Sequence, residues 1–408
     1  MTGFHDMTGF QGDGLPALLR AALTTPHYAG TLAGIDPDRI TDRAGLATLP
    51  VLRKSALAGL QAARPPFAGI NVRAPGEHAR VFASPGGIHE AEPRGAGDHW
   101  GMAAALAAAG FRAGDIVHNA FSYHLTPAGA AMEAGAWALG CAVFPAGIGN
   151  TEAQIAAALH LKPAGYTGTP SFLLHLLRSA AAAGTPLPFR HALVSGEAFP
   201  PAMAAEIAGF GVAAIQCYGT AEIGMIAHET LSDGLRSPDM LVNSRLIVEI
   251  LTPGTGDPVA PGAVGEVVVT RLDPDWPLIR FATGDLSAEV LPAQVPAQVP
   301  LRDGAMRIRG WLGRADDGTK VKGQFVYPMQ VAGVLARHPA VTRGRLVIGH
   351  DDGRDSMTLL IEAGAGDEIS AEAIAADLAA LTRLKGEVRL VAVGRLPDDG
   401  RLIEDTRA

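Results

Sequence analysis

The sequence predicts an α/β protein with a large N-terminal domain of parallel, helix-covered sheets, an antiparallel subdomain and a small α+β C-terminal domain. Three observations predict this class. Short apolar strands alternate with alanine-rich helices over residues 79–218, strands dominate after residue 221, and a mixed strand and helix pattern follows residue 310. Alternation of strands and helices is typical of a parallel sheet covered by helices.

The bulk properties set the number of domains and exclude several classes of protein. A chain of 408 residues exceeds one ordinary hydrophobic core, so we expect two domains, residues 1–312 and 313–408. With 48% hydrophobic and 18% charged residues, the composition indicates a folded protein. A formal net charge of -8 argues against a nucleic-acid partner.

The expected compartment is the cytoplasm, without a membrane partner. The first residues lack the basic and apolar regions of a signal peptide, and no segment reaches the roughly 18 consecutive apolar residues of a membrane span. Cys141 and Cys217 are too few for a disulfide framework or a cysteine zinc site.

The N-terminal part begins with short amphipathic helices over residues 15–60, interrupted by Pro26, Pro37 and Pro50. A strand at 80–83, a glycine-rich turn and a helix at 98–109 are predicted to form the first strand-loop-helix unit. The same alternation then predicts strands at 116–121, 142–145, 165–168, 192–195 and 214–218, and helices at 127–138, 152–161, 171–183 and 201–208.

The second half of the chain is richer in predicted strands. Strands at 246–251 and 265–270, separated by a proline and glycine cluster, predict the antiparallel subdomain. The C-terminal pattern predicts helices at 328–337 and 371–384 and strands at 344–348, 356–362 and 388–393. The polar, glycine-bounded segment 313–318 before it is predicted to be a domain hinge.

The turn that follows the strand ending at Tyr218 carries a hydroxyl and a carboxylate. Thr220 can donate to a phosphate oxygen, and Glu222 can hold a divalent cation that bridges phosphates. Ligands of open α/β sheets bind at the carboxyl ends of the strands, where this turn is predicted to lie. A plain polar turn after a buried strand is the alternative interpretation.

Three further places carry candidate chemistry. Asp285, in the turn T-G-D-L at 283–286, could accept both hydroxyls of a ribose or form a purely structural turn. Arg314 could bind a phosphate or form a solvated salt bridge in the hinge. Phe121, Tyr123 and His124 follow a predicted strand, where they could line a pocket for an aryl acid or pack beneath the sheet.

The order of these motifs resembles the acyl-activating, adenylate-forming superfamily, in its phenylacetate-CoA ligase branch. L-V-S-G-E-A at 193–198 is similar to the adenine-side loop of that family, and Y-G-T-A-E at 218–222 to its nucleotide and magnesium loop. T-G-D-L at 283–286 is similar to its ribose turn. G-R-A-D-D at 313–317, followed by K-V-K-G at 320–323, resembles its interdomain hinge.

The resemblance implies that ATP activates a carboxylic acid, aromatic or small, to an acyl-adenylate, which coenzyme A then attacks. The implied cofactors are ATP/AMP, Mg²⁺ and coenzyme A, and a homodimer is an open alternative to a monomer. The implied catalytic residues are Thr220, Glu222 (also the metal ligand) and Arg401. The implied cofactor-binding residues are Ser84, Ser195, Gly196, Glu197, Ala198, Cys217, Tyr218, Gly219, Thr220, Asp285, Arg314, Lys322 and Gly323, and the implied substrate residues are Phe121, Tyr123 and His124.

Two segments depart from the family pattern. The phosphate loop reads A-S-P-G-G-I-H-E at 83–90, where Ser84 is the remaining hydroxyl, Pro85 lacks an N–H and Glu90 adds negative charge. Arg401 stands where family members carry a lysine, and the two side chains are not interchangeable. These departures keep two alternatives open: an ATP-independent transferase, hydrolase or lyase acting on an acyl-CoA, and a catalytically silent acyl-CoA or nucleotide-binding protein.

Overall fold

A computed structural model describes residues 14–407, except residues 85, 96, 233, 295–304, 316–317, 322–323, 352–353 and 365–368. The chain divides into two compact units, Met1–Trp311 and Leu312–Ala408. No helix in the described part of the chain is long and apolar enough to cross a lipid bilayer.

The helices and strands of the first unit follow the predicted alternation. Its helices are α1 (Gly14–Leu23), α2 (Pro26–Thr31), α3 (Arg43–Ala47), α4 (Lys54–Ala63), α5 (Met102–Ala109), α6 (Ala128–Ala138), α7 (Thr151–Leu161), α8 (Pro170–Ala182) and α9 (Pro201–Gly209). Its strands are β1 (Leu52–Arg53), β2 (His78–Ala83), β3 (His89–Pro93), β4 (Ile116–Asn119), β5 (Ala142–Pro145), β6 (Gly165–Gly168), β7 (His191–Val194), β8 (Ala213–Thr220), β9 (Gly224–His228), β10 (Leu231–Ser232), β11 (Leu235–Arg236), β12 (Met240–Val242), β13 (Leu246–Leu251), β14 (Val264–Arg271), β15 (Leu278–Ala288) and β16 (Arg307–Ile308).

The main sheet has the order β5-β4-β6-β7-β8-β9-β12-β16. The strands from β5 to β8 pair in parallel, and those from β8 to β16 pair antiparallel. Helices α5 and α6 pack closely because Gly135 of α6 has no side chain: a Cβ there would lie 2.5 Å from the Cβ of Met102. The predicted α/β fold class is confirmed.

The N-terminal helices share a core with a second sheet of order β1-β15-β14-β13. Leu15, Leu18 and Leu19 of α1 are fully buried in the same cluster as Phe281 of β15. The predicted antiparallel pair is present as β13 and β14, with Leu246 opposite Arg271.

The predicted strand at 80–83 does not belong to the main sheet. It is part of β2, which pairs with β3 in a separate hairpin. Two glutamates make β3 look polar in sequence, yet Glu90 is 1% and Glu92 8% exposed. Arg80 of β2 compensates Glu92, with Nη1 2.9 Å from Oε2. The cross-strand partner Arg80 therefore allows a buried strand at a place where the polar composition indicates a loop.

The second unit contains β17 (Thr319–Val321), β18 (Gln324–Val326), α10 (Pro328–Arg337), β19 (Val341–Asp351), β20 (Arg354–Ala363), α11 (Ala371–Thr382), β21 (Glu387–Val391) and β22 (Ile403–Asp405). Its four-stranded sheet has the order β21-β20-β19-β22. Leu346, Leu359 and Ile361 of the sheet and Val334 and Leu378 of the two helices are fully buried in one cluster. The unit therefore has its own hydrophobic core.

Candidate active site

One edge of the main sheet collects several of the predicted site residues. The parallel registers Asn119↔Thr167, Gly168↔Val194 and Val194↔Gln216 bring the carboxyl ends of β4, β6, β7 and β8 to the same edge. The loops that leave these strands are where open α/β sheets bind ligands. This edge is the candidate active site.

The loop after β7 is tied to the end of β8. The Ser195 hydroxyl donates to the carbonyl oxygen of Cys217 at 2.8 Å. The Cys217 side chain is buried in an apolar cluster, and burial, opposed by its contact with the Ser195 hydroxyl, raises the pKa of the thiol to about 12. Cys217 therefore contributes its backbone to this edge, and a reactive thiolate is not part of the site.

Glu197 holds the same loop against helix α8. Its Oε1 accepts from the backbone N–H of Ser171, in the first turn of α8, at 2.6 Å, and its carbonyl oxygen accepts from Gln216 Nε2 at 2.7 Å. A carboxylate at a helix N-terminus is favoured by the unpaired N–H groups there. Gly196 has a φ of +86°, and both Gly196 and Ala198 are exposed at the sheet edge.

The predicted ribose aspartate lies within hydrogen-bonding distance of the β8 motif. Tyr218 Oη donates to Asp285 Oδ2 at 2.9 Å, across 67 residues of sequence. Trp311 Nε1 donates to Asp285 Oδ1 at 3.1 Å, and the Trp311 side chain is 53% exposed. Sequence reasoning missed Trp311, because 26 residues separate it from Asp285 and nothing local marks its indole N–H as a donor to that carboxylate.

The turn after β8 has a close backbone approach at its start. A Cβ at Gly219 would lie 2.4 Å from the carbonyl oxygen of Gly224, so only glycine allows β8 and β9 to come together there. Thr220 Oγ1 accepts from the backbone N–H of Ile223 at 3.3 Å and remains partly exposed.

Glu222 lies inward from this turn, with a side chain only 2% exposed. Lys54 of α4 donates to its Oε2 at 3.2 Å and lies 2.9 Å from Oε1, where the contact lacks hydrogen-bond geometry. Lys54 is a second candidate that sequence reasoning missed, because 168 residues separate it from Glu222.

Glu90 lies beside the same pair. Burial, reinforced by the charge of Glu222 and opposed by Lys54, raises the pKa of its carboxyl to about 8. Neither carboxyl oxygen has a hydrogen-bond partner among the described residues. A cavity of about 10 Å³, the size of one water molecule, adjoins both glutamates. The rest of the cavity wall is mainly apolar, with Phe67 and Trp276 among its residues.

The predicted phosphate loop is the turn between β2 and β3. The backbone N–H of Ser84 donates to the carbonyl oxygen of Ile88 at 2.8 Å, which closes a short turn. The Ser84 hydroxyl is buried and has no hydrogen-bond partner in the described part of the chain. Its proposed role at phosphate stays a prediction.

The three predicted substrate residues have different surroundings. Phe121 is 9% exposed and lies near the β7 loop: a Cβ at Gly196 would come 4.0 Å from its Cε1. Tyr123 Oη donates to Glu133 Oε2 at 3.1 Å, and burial together with this carboxylate raises its pKa. His124 is exposed. Phe121 therefore lies at the sheet edge. Tyr123 instead is hydrogen-bonded to the carboxylate of Glu133.

The remaining predicted residues belong to the second unit. Arg401 is exposed, and its backbone N–H donates to Asp399 Oδ1 at 3.0 Å. Arg314 is partly buried near the beginning of the unit. Lys322 and Gly323 lie outside the described residues, so their predicted roles stay predictions.

Comparisons with known proteins identify the family of the chain. A family profile for AMP-binding enzymes matches residues 128–271. Phenylacetate-coenzyme A ligase of Aromatoleum evansii is 31% identical over 357 residues, which cover 83% of this chain and 77% of the relative. The enzyme of the same name from Thermus thermophilus is 31% identical over 269 residues, which cover 64% of this chain and 59% of the relative's length.

Solved structures show the same fold. An open conformation of 2-hydroxyisobutyryl-CoA ligase, in complex with 2-HIB-AMP and CoA, superposes with a TM-score of 0.82 at 22% identity, covering 99% of this chain and 96% of that chain. The fold and these comparisons define an AMP-binding enzyme of the adenylate-forming class. Within that class, the chain belongs to the phenylacetate-coenzyme A ligase family.

Proposed function

We propose that this protein is an AMP-forming carboxylate-CoA ligase. It would join a carboxylic acid to AMP from ATP, with release of pyrophosphate, and then transfer the acyl group to the thiol of coenzyme A, with release of AMP. One observation carries the proposal: Tyr218, at the end of β8, donates to Asp285 at 2.9 Å, so the two motifs that resemble the nucleotide loop and the ribose turn adjoin.

The proposed roles follow the positions at the sheet edge. Thr220, a partly exposed hydroxyl, would donate to a phosphate oxygen, and Glu222 would hold Mg²⁺. Asp285 would accept the ribose hydroxyls. The other proposed contacts are Ser195, Gly196, Glu197, Ala198, Tyr218 and Gly219 around adenine, Ser84 and Arg314 at phosphate, Lys322 and Gly323 after the hinge, and Arg401 in place of the adenylation lysine.

The acid would be aromatic or small. Relatives named phenylacetate-coenzyme A ligases support an aryl acid, and Phe121 at the sheet edge offers an aromatic wall. The bound 2-HIB-AMP in the similar crystal structures supports a small aliphatic acid instead. The cytoplasmic location and the homodimer stay predictions.

ATP-pyrophosphate exchange tests the proposal directly. We expect exchange with at least one member of a panel of aryl and short aliphatic acids, together with AMP and an acyl-CoA detected by mass. Thr220→Ala should lower the exchange rate by about 100-fold, as loss of one donor to developing charge does elsewhere. Thr31→Ala, which removes an exposed hydroxyl that donates to the carbonyl oxygen of His27, serves as the control.

A second candidate is an ATP-independent enzyme that acts on an acyl-CoA. It is favoured by Glu90, whose carboxyl is buried at the end of the phosphate-loop turn, and by arginine at position 401. No exchange with any acid, together with turnover of an acyl-CoA without ATP or Mg²⁺, would replace the ligase proposal with this one. Acyl-CoA binding without turnover would identify a silent binding protein.

A further inference from the structure

A loop without helix or strand connects β21 to β22 in the second unit and carries Arg401. This Arg401 loop, residues 392–402, is described throughout, and of its residues only Leu396 is buried. Exposed connections of this kind are usually the mobile parts of a domain. One buried apolar side chain leaves most of the loop without a hydrophobic anchor, so other contacts must fix the position of Arg401.

Arg345 of β19 supplies such contacts. Its side chain is 5% exposed, and its Nη2 donates to the carbonyl oxygen of Pro397 at 3.3 Å and to Asp399 Oδ1. Its Nη1 donates to Oε2 of Glu404, in β22, at 3.3 Å. One buried guanidinium therefore bonds to the chain on both sides of Arg401, and two carboxylates compensate its charge.

Asp399 connects Arg345 to Arg401. The Oδ1 atom that accepts from Arg345 also accepts from the backbone N–H of Arg401 at 3.0 Å. The backbone N–H of Arg401, together with Arg345, holds the pKa of the Asp399 carboxyl below its usual range. The backbone at Arg401 is thus held by a carboxylate that a buried arginine keeps in place, while the Arg401 side chain stays exposed.

The step proposed for Arg401 is sensitive to the position of its charge. In adenylation a carboxylate oxygen bonds to the α-phosphorus of ATP, the bond to the bridging oxygen breaks and pyrophosphate leaves, so two anionic groups must approach each other. A cation stabilises this approach only where it is correctly placed, and an error of about 1 Å can cost about 100-fold in rate. Transfer to coenzyme A starts from an adenylate in which the new bond already exists, so it does not need the same cation.

We propose that Arg345 and Asp399 are positioning residues of the adenylation step, which they serve by fixing the backbone at Arg401. The inference rests on the proposed ligase function and on the role of Arg401 in it. A purely structural pair would instead stabilise the second unit and affect both half-reactions alike.

Asp399→Ala in the full-length protein tests the inference. The Asp399 side chain is 42% exposed, and its loss leaves Arg345 paired with Glu404. We expect ATP-pyrophosphate exchange to fall by about tenfold or more, while formation of acyl-CoA from a synthetic acyl-adenylate and coenzyme A stays within about twofold of the wild type. Asp399→Asn, which keeps an oxygen for the Arg401 N–H, should lose less exchange than Asp399→Ala.

The same substitution in an Arg401→Ala background separates positioning from a general structural effect. If Asp399 acts through Arg401, the double variant should exchange within about twofold of Arg401→Ala alone, because residues that act through one another are not additive. Arg345→Met should follow the same pattern. Circular dichroism and the thermal midpoint of each variant identify a protein that has lost its fold.

Asp398→Ala is the matched control. Asp398 is the neighbouring aspartate of the loop, 86% exposed, and it pairs at 3.2 Å with Arg343, which lies two residues before Arg345 on β19. Since this pair does not include the Arg401 N–H, pyrophosphate exchange by Asp398→Ala should stay within about twofold of the wild type.

Three results would overturn the inference and leave the ligase: wild-type exchange in Asp399→Ala, an equal loss in both half-reactions, or a further full loss in the Arg401→Ala background. No exchange by the wild type with any acid would reject the ligase, and with it the step that Arg345 and Asp399 would serve.

Discussion

At the scale of single residues, the site combines groups whose ionisation is controlled by burial. Glu90 is the clearest example, since its carboxyl is 1% exposed and carries a pKa raised to about 8 from an ordinary value near 4.5. The folded protein therefore holds a proton that the unfolded chain releases at lower pH. Such a difference makes the stability of the protein depend on pH.

Without metal, the free energy of unfolding of the wild type should fall relative to that of Glu90→Gln as the pH rises from about 4.5 to about 8. Over this range the unfolded state has lost the Glu90 proton while the folded state keeps it, so the stabilising contribution present at low pH is lost. At pH 8 the variant should be the more stable by a few kcal/mol.

Urea denaturation in EDTA at pH 5, 6, 7 and 8 measures this difference. Glu229, whose pKa burial raises to about 7, titrates in both proteins and cancels in the comparison. A difference that stays constant with pH would show that Glu90 is ionised in the folded protein.

Trp311 offers a second residue-scale prediction, which rests on the proposed ribose role of Asp285. Its indole N–H occupies Asp285 Oδ1 at 3.1 Å, so a ribose hydroxyl must compete with it. AMP binding should change the tryptophan fluorescence. Trp311→Phe should lose this change and bind AMP several-fold more tightly, since a net hydrogen bond is worth about 1 kcal/mol.

Trp137→Phe is the control for this measurement, because Trp137 on α6 is 54% exposed, almost as much as Trp311 at 53%. It should keep both the fluorescence change and the wild-type affinity. If Trp137→Phe loses the fluorescence change instead, Trp311 is not the residue that reports AMP binding.

At the scale of elements, one arginine joins strand β15 to the N-terminal helices. Arg280 has a φ of +46°, and its guanidinium is bonded to both oxygens of Glu249 at 3.0 and 3.1 Å. It also donates to the carbonyl oxygens of Ala47 and Leu49 at 2.8 and 2.6 Å. These contacts give a donor to two carbonyl oxygens at and just after the end of α3.

Arg280→Met should lower the free energy of unfolding by about 3–5 kcal/mol, because it leaves the carboxylate of Glu249, 11% exposed, and the buried carbonyl oxygen of Leu49 without their donor. Arg39→Met, which removes an 85% exposed side chain paired with Asp36, should change the free energy of unfolding by less than about 0.5 kcal/mol. Equal effects in urea denaturation would contradict the structural role of Arg280.

At the scale of the whole molecule, the two units have separate cores. Leu359 of β20 is fully buried among residues of the second unit, and Leu176 of α8 is fully buried among residues of the first. Truncation of a buried leucine to alanine costs about 2–5 kcal/mol where the loss is local to one core.

Leu359→Ala should therefore speed hydrogen exchange in β19 and β20 and leave β6 and β7 unchanged. Leu176→Ala should do the reverse. Mass-spectrometric exchange on the intact chain measures both. Faster exchange in both units from either substitution would show that they unfold as one cooperative body.

The first and last residues of several elements could be predicted, because local sequence patterns determine them. Strands β5, β6 and β13 and helix α10 have the predicted bounds, since short apolar runs, turn residues and a 3.6-residue period determine them without reference to the rest of the chain. The order of the motifs similarly led to the family, which the comparisons then established.

Strand β3 and the approach of Glu90 and Glu222 to one cavity could not be predicted, and only the tertiary structure decided them. A glutamate is buried or exposed according to the charges that surround it, and those of Glu222 and Glu92 come from Lys54 and Arg80 on other segments. The sequence by itself thus determined the α/β architecture and the class of chemistry. The fold decided which carboxylates share one low-dielectric space, because electrostatic pairing depends on distance in three dimensions and not along the chain.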